Sequence, residues 1–261
     1  MKLGVLPLFN EANWAGFAID HGMLLCDKIL IIEGAQFAAF SDIPERSDDG
    51  TLDIISDKQK QYPNKLEVIK TIRKHRNYRL NQCANYNLSL SYCEIGDYIV
   101  SLSADMFYSN SIVDKVNRLM EDDRMDCLNV KLSMFVLGFK WTFGTQPGKL
   151  IFRKIPTLHF RPTARPLGFG PAEVTLDGIS CHHYKFVKPR ARMRIRMRTS
   201  GFYKGMLEWF DENWDRIELA EGKTFNFVHK SFILRRYDGE HSSILDNHPW
   251  RNVEDIRRLG I

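Results

Sequence analysis

The sequence predicts an α/β fold, with a mostly parallel central sheet flanked by helices and a mixed α+β C-terminal half. Three observations carry this. Through the first half, short strand-like runs alternate with helix-length amphipathic ones, the signature of βαβ units. From about residue 125 the pattern gives way to strands separated by Gly- and Pro-containing loops. With 261 residues the chain is long enough to bury one sizeable core. The expected organisation is two halves of one compact unit, residues 1–125 and 126–261.

Taken in order, Lys2 to Phe9 reads as a short buried strand ending in a polar turn. Asn10 is placed to cap a helix over Glu11 to Leu25, with the acid in its first turn. Lys28 to Ile32 is a strand closed by Glu33-Gly34. Residues 36–50 are irregular and end in the turn signal Ser47-Asp48-Asp49-Gly50. Thr51 to Lys60 reads as a helix and Lys65 to Ile69 as a strand. A helix from about Arg79 to Cys93 would place Leu80, Cys83, Ala84 and Leu88 on one face. Asp97 to Leu102 is a strand running into Ser103-Ala104-Asp105. The clearest helix follows: Ile112, Val113, Val116, Leu119 and Met120 share a face, and Ser109 or Asn110 can cap it. Cys127 to Leu137, Lys149 to Arg153 and Val174 to Tyr184 read as strands, then Phe202 to Trp214 and Phe225 to Leu234 as helical or mixed segments rich in aromatic residues.

Composition narrows the class. The chain is 44% hydrophobic and 26% charged, ordinary for a globular protein. The most apolar stretch, Gly16 to Ala35, is broken by Asp20, His21, Asp27 and Lys28, so no membrane span is expected. Strand-like sequence begins at once, which leaves no room for a secretory signal. Five cysteines without a CxxC pair suit reduced thiols, and hence a cytoplasmic protein, peripheral at a membrane if its basic surface docks there. The net charge is +5, and residues 185–198, KFVKPRARMRIRMR, are basic without an acid. Anionic partners follow, whether nucleotide phosphates, lipid headgroups or nucleic acid.

In a parallel α/β sheet ligands bind at the carboxyl ends of the strands. Here those ends carry Asn10-Glu11, Glu33 and Ser103 to Asp105. Several of these segments together resemble the family 2-like glycosyltransferases of the GT-A fold. Pro7-Leu-Phe9-Asn10-Glu11 resembles the family's Pro-x-Tyr/Phe-Asn-Glu opening. Glu33 stands where the family places an acid against the nucleotide base. Ser47-Asp-Asp49-Gly-Thr51 is similar to the family's Ser-Thr-Asp-Gly-Thr turn, after an insertion of about thirteen residues. Arg79 to Asn85 and Gly96-Asp-Tyr-Ile99 resemble the segments that precede its metal motif. Lys149 to Lys154 and Cys181-His-His183-Tyr184 resemble elements of the bacterial lipopolysaccharide-core and related branch. The resemblance covers roughly residues 3–200. The family's Asp-x-Asp metal motif departs to Ser103-Ala104-Asp105, where only the second acid remains.

That resemblance implies a metal-dependent, inverting transferase that moves a sugar from a UDP- or GDP-sugar to a glycan, lipid-linked or polymeric acceptor. Mn²⁺ or Mg²⁺ would neutralise the departing diphosphate, held by Asp105, with His183 or His182 as a further ligand. The alternative for Asp105 is a turn cap, and for His183 a buried, hydrogen-bonded imidazole. Glu33 and Asp49 would accept hydrogen bonds from base or ribose; otherwise they are a strand end and a turn. Inversion also needs a carboxylate to deprotonate the acceptor. The stretch from His159 to Pro166 offers none, which leaves Glu173 or Asp177. Arg153, Lys154 and the basic run would bind diphosphate or an anionic acceptor, the run as a two-faced strand or as a helix with arginines around it. Trp141, Phe143 and Trp209 would stack on sugars or fill the core. Competing readings are a polyanion- or nucleic-acid-binding protein, a transferase acting on modified nucleic acid, and a nucleotide-binding homologue that has lost its reaction.

Overall fold

The computed structural model describes residues 1–37, 42–162, 165–178, 181–199, 205–227 and 230–260. Parts of five expectations lie outside them: residues 38–41 of the irregular stretch 36–50, 163–164 of the acid-free stretch, 179–180 of the Val174–Tyr184 strand, 202–204 of the Phe202–Trp214 segment, and 228–229 of the Phe225–Leu234 segment. The elements run β1 (Lys2–Leu8), α1 (Ala12–Met23), β2 (Lys28–Glu33), α2 (Thr51–Gln61), β3 (Leu66–Lys70), α3 (Tyr78–Ser89), β4 (Tyr98–Ser101) and β5 (Met106–Tyr108). Then come α4 (Asn110–Glu121), β6 (Cys127–Val136), β7 (Trp141–Arg153), β8 (His159–Arg161), β9 (Arg165–Leu167), β10 (Glu173–Thr175) and β11 (Cys181–Phe186). The chain continues through α5 (Arg190–Thr199), α6 (Met206–Asn213), β12 (Thr224–Phe227), β13 (Lys230–Ile233) and β14 (Arg235–Arg236).

The chain divides into two compact units that interleave in sequence. The first holds residues 1–105, 110–130 and 148–177; the second holds 106–109, 131–147 and 178–261. Residues 126–130 and 148–177 thus join the first unit although they follow residue 125, and 106–109 join the second although they precede it.

In the first unit, β3, β2, β1 and β4 lie side by side and parallel. The second half of β7 then pairs antiparallel with β4, Ile99 opposite Phe152. Leu3, Val5, Leu30, Ile32, Ile99 and Phe152 fill the core beneath these strands. In the second unit β11 runs parallel to the later part of β6 and antiparallel to β5, while β14 pairs antiparallel with β7. The sheet is therefore mixed: β3 to β4 form a continuous parallel block and β10 and β11 run parallel to β6, while β7 and β5 bring antiparallel pairs.

Three local expectations change. Asn10 does not cap α1; it takes a left-handed conformation at φ 51° and its side chain turns to the Ser47–Asp48 segment. The expected apolar face of α3 is not its buried face. Leu80 is 38% exposed, whereas Asn81, Asn85, Tyr86 and Ser89 are buried. Val174 to Tyr184 falls on two strands, β10 and β11, in place of one. The basic run, left open between strand and helix, is the helix α5. All five cysteines are free thiols, and among the described residues no helix is long and apolar enough to cross a membrane.

Candidate functional site at the carboxyl edge of the first unit

The parallel register brings the three polar strand ends to one edge. Leu8 of β1 lies opposite Glu33 of β2, and Val5 lies opposite Ser101 of β4. Asn10-Glu11, Glu33 and Ser103 to Asp105 therefore leave adjacent strands in the same direction, the place where such sheets bind ligands.

The Ser47–Thr51 turn is fastened to the end of β1. Asn10 N–H donates to Ser47 Oγ at 2.9 Å, Asp48 N–H to Asn10 Oδ1 at 3.0 Å, and Asn10 Nδ2 to Asp48 Oδ1 at 2.8 Å. Glu11 N–H donates to Thr51 Oγ1 at 2.9 Å. Asp49 joins two helices: its Oδ2 accepts from Ala12 N–H, the first residue of α1, at 3.0 Å, and its Oδ1 accepts from Thr51 N–H, the first residue of α2, at 3.1 Å. A carboxylate at two helix N-termini satisfies amides that have no partner inside the helix and sits favourably against both dipoles. Gly50 between these residues takes φ 94°, a conformation open to glycine at little strain.

Glu33 holds the same turn from below. Its side chain is 0% exposed; Oε2 accepts from Arg46 Nε at 2.8 Å and Oε1 from Ser47 N–H at 2.8 Å. The Arg46 side chain is 54% exposed, so the pair presents a cation at the surface and keeps its carboxylate inside. Gly34 follows with φ 120°, and an added Cβ there would stand 2.6 Å from the Glu45 carbonyl. No other residue lets the chain pass that close.

The buried asparagines of α3 fix the neighbouring loops. Asn81 Nδ2 donates to the carbonyls of Gln36 and His75, and its Oδ1 accepts from His75 N–H. Asn85 Oδ1 accepts from Ile72 N–H at 2.7 Å, and its Nδ2 donates to Thr71 Oγ1 at 2.8 Å. Each is a buried amide bonded on both sides, the condition under which burial of a polar group is tolerated. Asn81 and Asn85 were missed by the apolar-face reading; their i, i+4 spacing was the available signal.

The remaining candidates are placed as follows. Asp105 is 2% exposed, and its Oδ1 accepts from Ser103 Oγ at 2.9 Å; Ala104 between them is buried. Pro7 is half-buried in β1, and Phe9 packs edge-on against Phe37 with centroids 5.8 Å apart. Arg79 is half-buried in the first turn of α3, its N–H bonded to the capping side chain of Asn77. Glu173 accepts from Lys149 Nζ at 2.7 Å and Asn129 Nδ2 at 3.0 Å, and these bonds hold its carboxyl below the usual range. Asp177 is exposed. Among the described residues no three His, Cys, Asp or Glu side chains gather as a metal group.

The second unit carries the histidines and the basic helix. His183 is half-buried on β11, opposite Met106. His182, on the other face, is buried; its Nε2 meets Tyr237 OH at 2.9 Å. His241 Nδ1 meets Tyr184 OH at 2.5 Å. Burial, with a contribution from the Arg251 charge, lowers His182 to about 4 and His241 to about 3. On α5, Met193 and Met197 are buried, while Arg190 and Arg194 pair with Asp215 and Asp211 of the α6 region. Trp141 and Phe143 are buried, and half-buried Trp209 packs edge-on against Phe227, so these rings serve the core.

No family model matches the sequence, and no curated protein matches it. Among solved structures the chain is similar to glucosyl-3-phosphoglycerate synthase from Mycobacterium tuberculosis, crystallised with Mn²⁺, UDP and glucosyl-3-phosphoglycerate. The likeness has a TM-score of 0.39 at 13% identity and covers 91% of this chain and 87% of that one. A second, mannose-6-phosphate isomerase from Helicobacter pylori, has a TM-score of 0.29 at 10% identity and covers 54% and 56%. Likenesses at these levels leave the reading of function to the chain's own residues.

Proposed function

We propose that the chain is a glycosyltransferase that takes a nucleotide-diphosphate sugar, UDP- or GDP-linked, at the carboxyl edge of β1, β2 and β4. It passes the sugar, with inversion, to a glycan, lipid-linked or polymeric acceptor. One observation carries the reading: the segments that resemble the family's donor-binding motifs are bonded to one another at a single sheet edge. Asn10 to Ala12 are tied to Ser47–Thr51, and Ser47 to Glu33, beside the strand that ends in Ser103–Asp105.

Glu33 and Asp49 act in this reading as positioning residues. Their oxygens already accept from Arg46, Ser47 and the first amides of α1 and α2, so they hold the Ser47–Thr51 turn in place and leave Arg46 facing solvent. A divalent cation, Mn²⁺ or Mg²⁺, supplies neutralisation of the leaving diphosphate when bound. Asp105 fits a cation held chiefly by the donor's phosphate oxygens and water with a single protein carboxylate, a mode common for Mg²⁺. His183 enters as a further ligand from the sequence alone. Of the two candidates for the base, Glu173 is committed to Lys149 and Asn129, which lowers its proton affinity, so the reading gives that task to Asp177.

The test is a thermal-shift panel of UDP, GDP and CDP with and without Mn²⁺, followed by turnover of the matching sugar donor. One nucleotide should raise the unfolding midpoint in a metal-dependent way, because a ligand that binds only the folded state stabilises it. Asp105→Ala should remove that shift and lower turnover about 100-fold or more, a loss of roughly 3 kcal/mol in the transition state. Full activity in Asp105→Ala would overturn the metal assignment. A flat panel with a salt-sensitive gel shift on nucleic acid would move the reading to polyanion binding through residues 185–198.

A further inference from the structure

The acid expected to face the nucleotide base is closed off. Glu33 is 0% exposed, and its two oxygens accept from Arg46 Nε and Ser47 N–H, both at 2.8 Å. A carboxylate this deep touches no ligand. What the end of β2 presents to solvent instead is the Arg46 side chain, 54% exposed. Among the described residues Arg46 bonds to Glu33 through Nε, which leaves the N–H groups of its two terminal nitrogens available.

Arg46 is fixed from three sides. The carbonyl of Glu45, just before it, accepts from Ala35 N–H at 3.0 Å. The amide of Ser47, just after it, donates to Glu33, and its own Nε completes the clamp. A planar fork held in this way loses little freedom when it bonds a ligand, so its choice of partner is set in advance. Glu33 also balances its charge, so the fork suits neutral carbonyl and ring-nitrogen acceptors better than phosphate.

Two parallel donors need two acceptors side by side. Guanine carries O6 and N7 together on an edge away from the ribose, the pair that arginine bonds most often among the bases. Uracil sets its N3–H donor between O2 and O4, so none of its acceptors are adjacent, and buried Glu33 cannot take that N3–H. Adenine has an amino group beside N7. In cytosine the adjacent acceptors, O2 and N3, begin next to the ribose, which crowds a fork. We propose, on the footing of the donor reading above, that Arg46 selects the base and that it selects guanine, which makes the donor a GDP-sugar.

Isothermal titration of the full chain with GDP, UDP, CDP and the N7-deaza analogue of GDP, each with Mn²⁺, tests it. GDP should bind about ten-fold or more tightly than UDP or CDP, the discrimination expected of one bidentate pair. The analogue, which has a C–H in place of the N7 acceptor, should lose most of that advantage. Arg46→Lys keeps a cation beside Glu33 but removes the fork; in it GDP, its analogue and UDP should bind within about three-fold of one another. If Arg46→Lys does not fold, the comparison of GDP with its analogue on the parent chain decides alone. The proposal falls, with the donor reading intact, if UDP or CDP binds most tightly, if the analogue binds as GDP does, or if Arg46→Lys keeps the preference for GDP. If none of the four binds at millimolar concentration, the donor reading falls and takes the proposal with it.

Discussion

In the first unit several buried polar side chains bond to the backbone of loops. Asn81, Asn85, Glu33 and Ser47 each take up a main-chain amide or carbonyl of a loop at the sheet's carboxyl edge. In the second unit two buried histidines bond to tyrosine side chains. His182 meets Tyr237 and His241 meets Tyr184, among the rings of Phe135 and Phe139. The contrast teaches what each region needs. Loops that must present a ligand site carry many unpaired backbone groups, and short polar side chains close them. An interior built of rings gains from area and edge-to-face geometry, and its few polar atoms pair internally.

Asn85→Leu should break the first arrangement most severely. It orphans the Ile72 N–H and removes the donor to Thr71 Oγ1. The expected loss is about 3 kcal/mol in urea unfolding, since each stranded buried group costs roughly 1–3 kcal/mol. A loss below about 1 kcal/mol would show that α3 does not hold that loop.

Acid should strain the second arrangement next. Free imidazole takes up a proton near 6.5, but His182 does so only near 4 and His241 near 3 when folded. Between those values the unfolded chain holds more protons, so stability falls as the pH drops below about 6.5, by at most about 1.4 kcal/mol per unit for each histidine. His21 of the first unit, lowered to about 3 by burial, adds one such group against two in the second. Residue-resolved hydrogen exchange at pH 7 and 5 should therefore show the larger loss of protection around β11. Equal protection at both pH values would mean that these imidazoles are charged when folded.

Arg194→Ala should do least. Its paired contact with Asp211 is solvent-exposed, and exposed ion pairs contribute little. An unchanged unfolding midpoint would leave buried Met193 and Met197 as what seats α5, whereas a clear drop would assign that role to the ion pair.

The sequence by itself determined most elements of the first half, because β1, β2 and β4 are short continuous apolar runs and α4 keeps the helical period, and both signals are local. It also marked Asn10-Glu11, Glu33 and Ser103 to Asp105 as one edge, since a parallel sheet sends all its strand ends the same way. The tertiary structure decided what those residues hold. Whether a carboxylate faces solvent or a neighbouring amide depends on contacts such as Asp49 with Ala12, which no local period records. It likewise decided that α3 buries asparagines in place of Leu80 and that β7 and β5 make the sheet mixed. These outcomes turn on where distant backbone groups need partners, and a pattern along one segment does not contain that information.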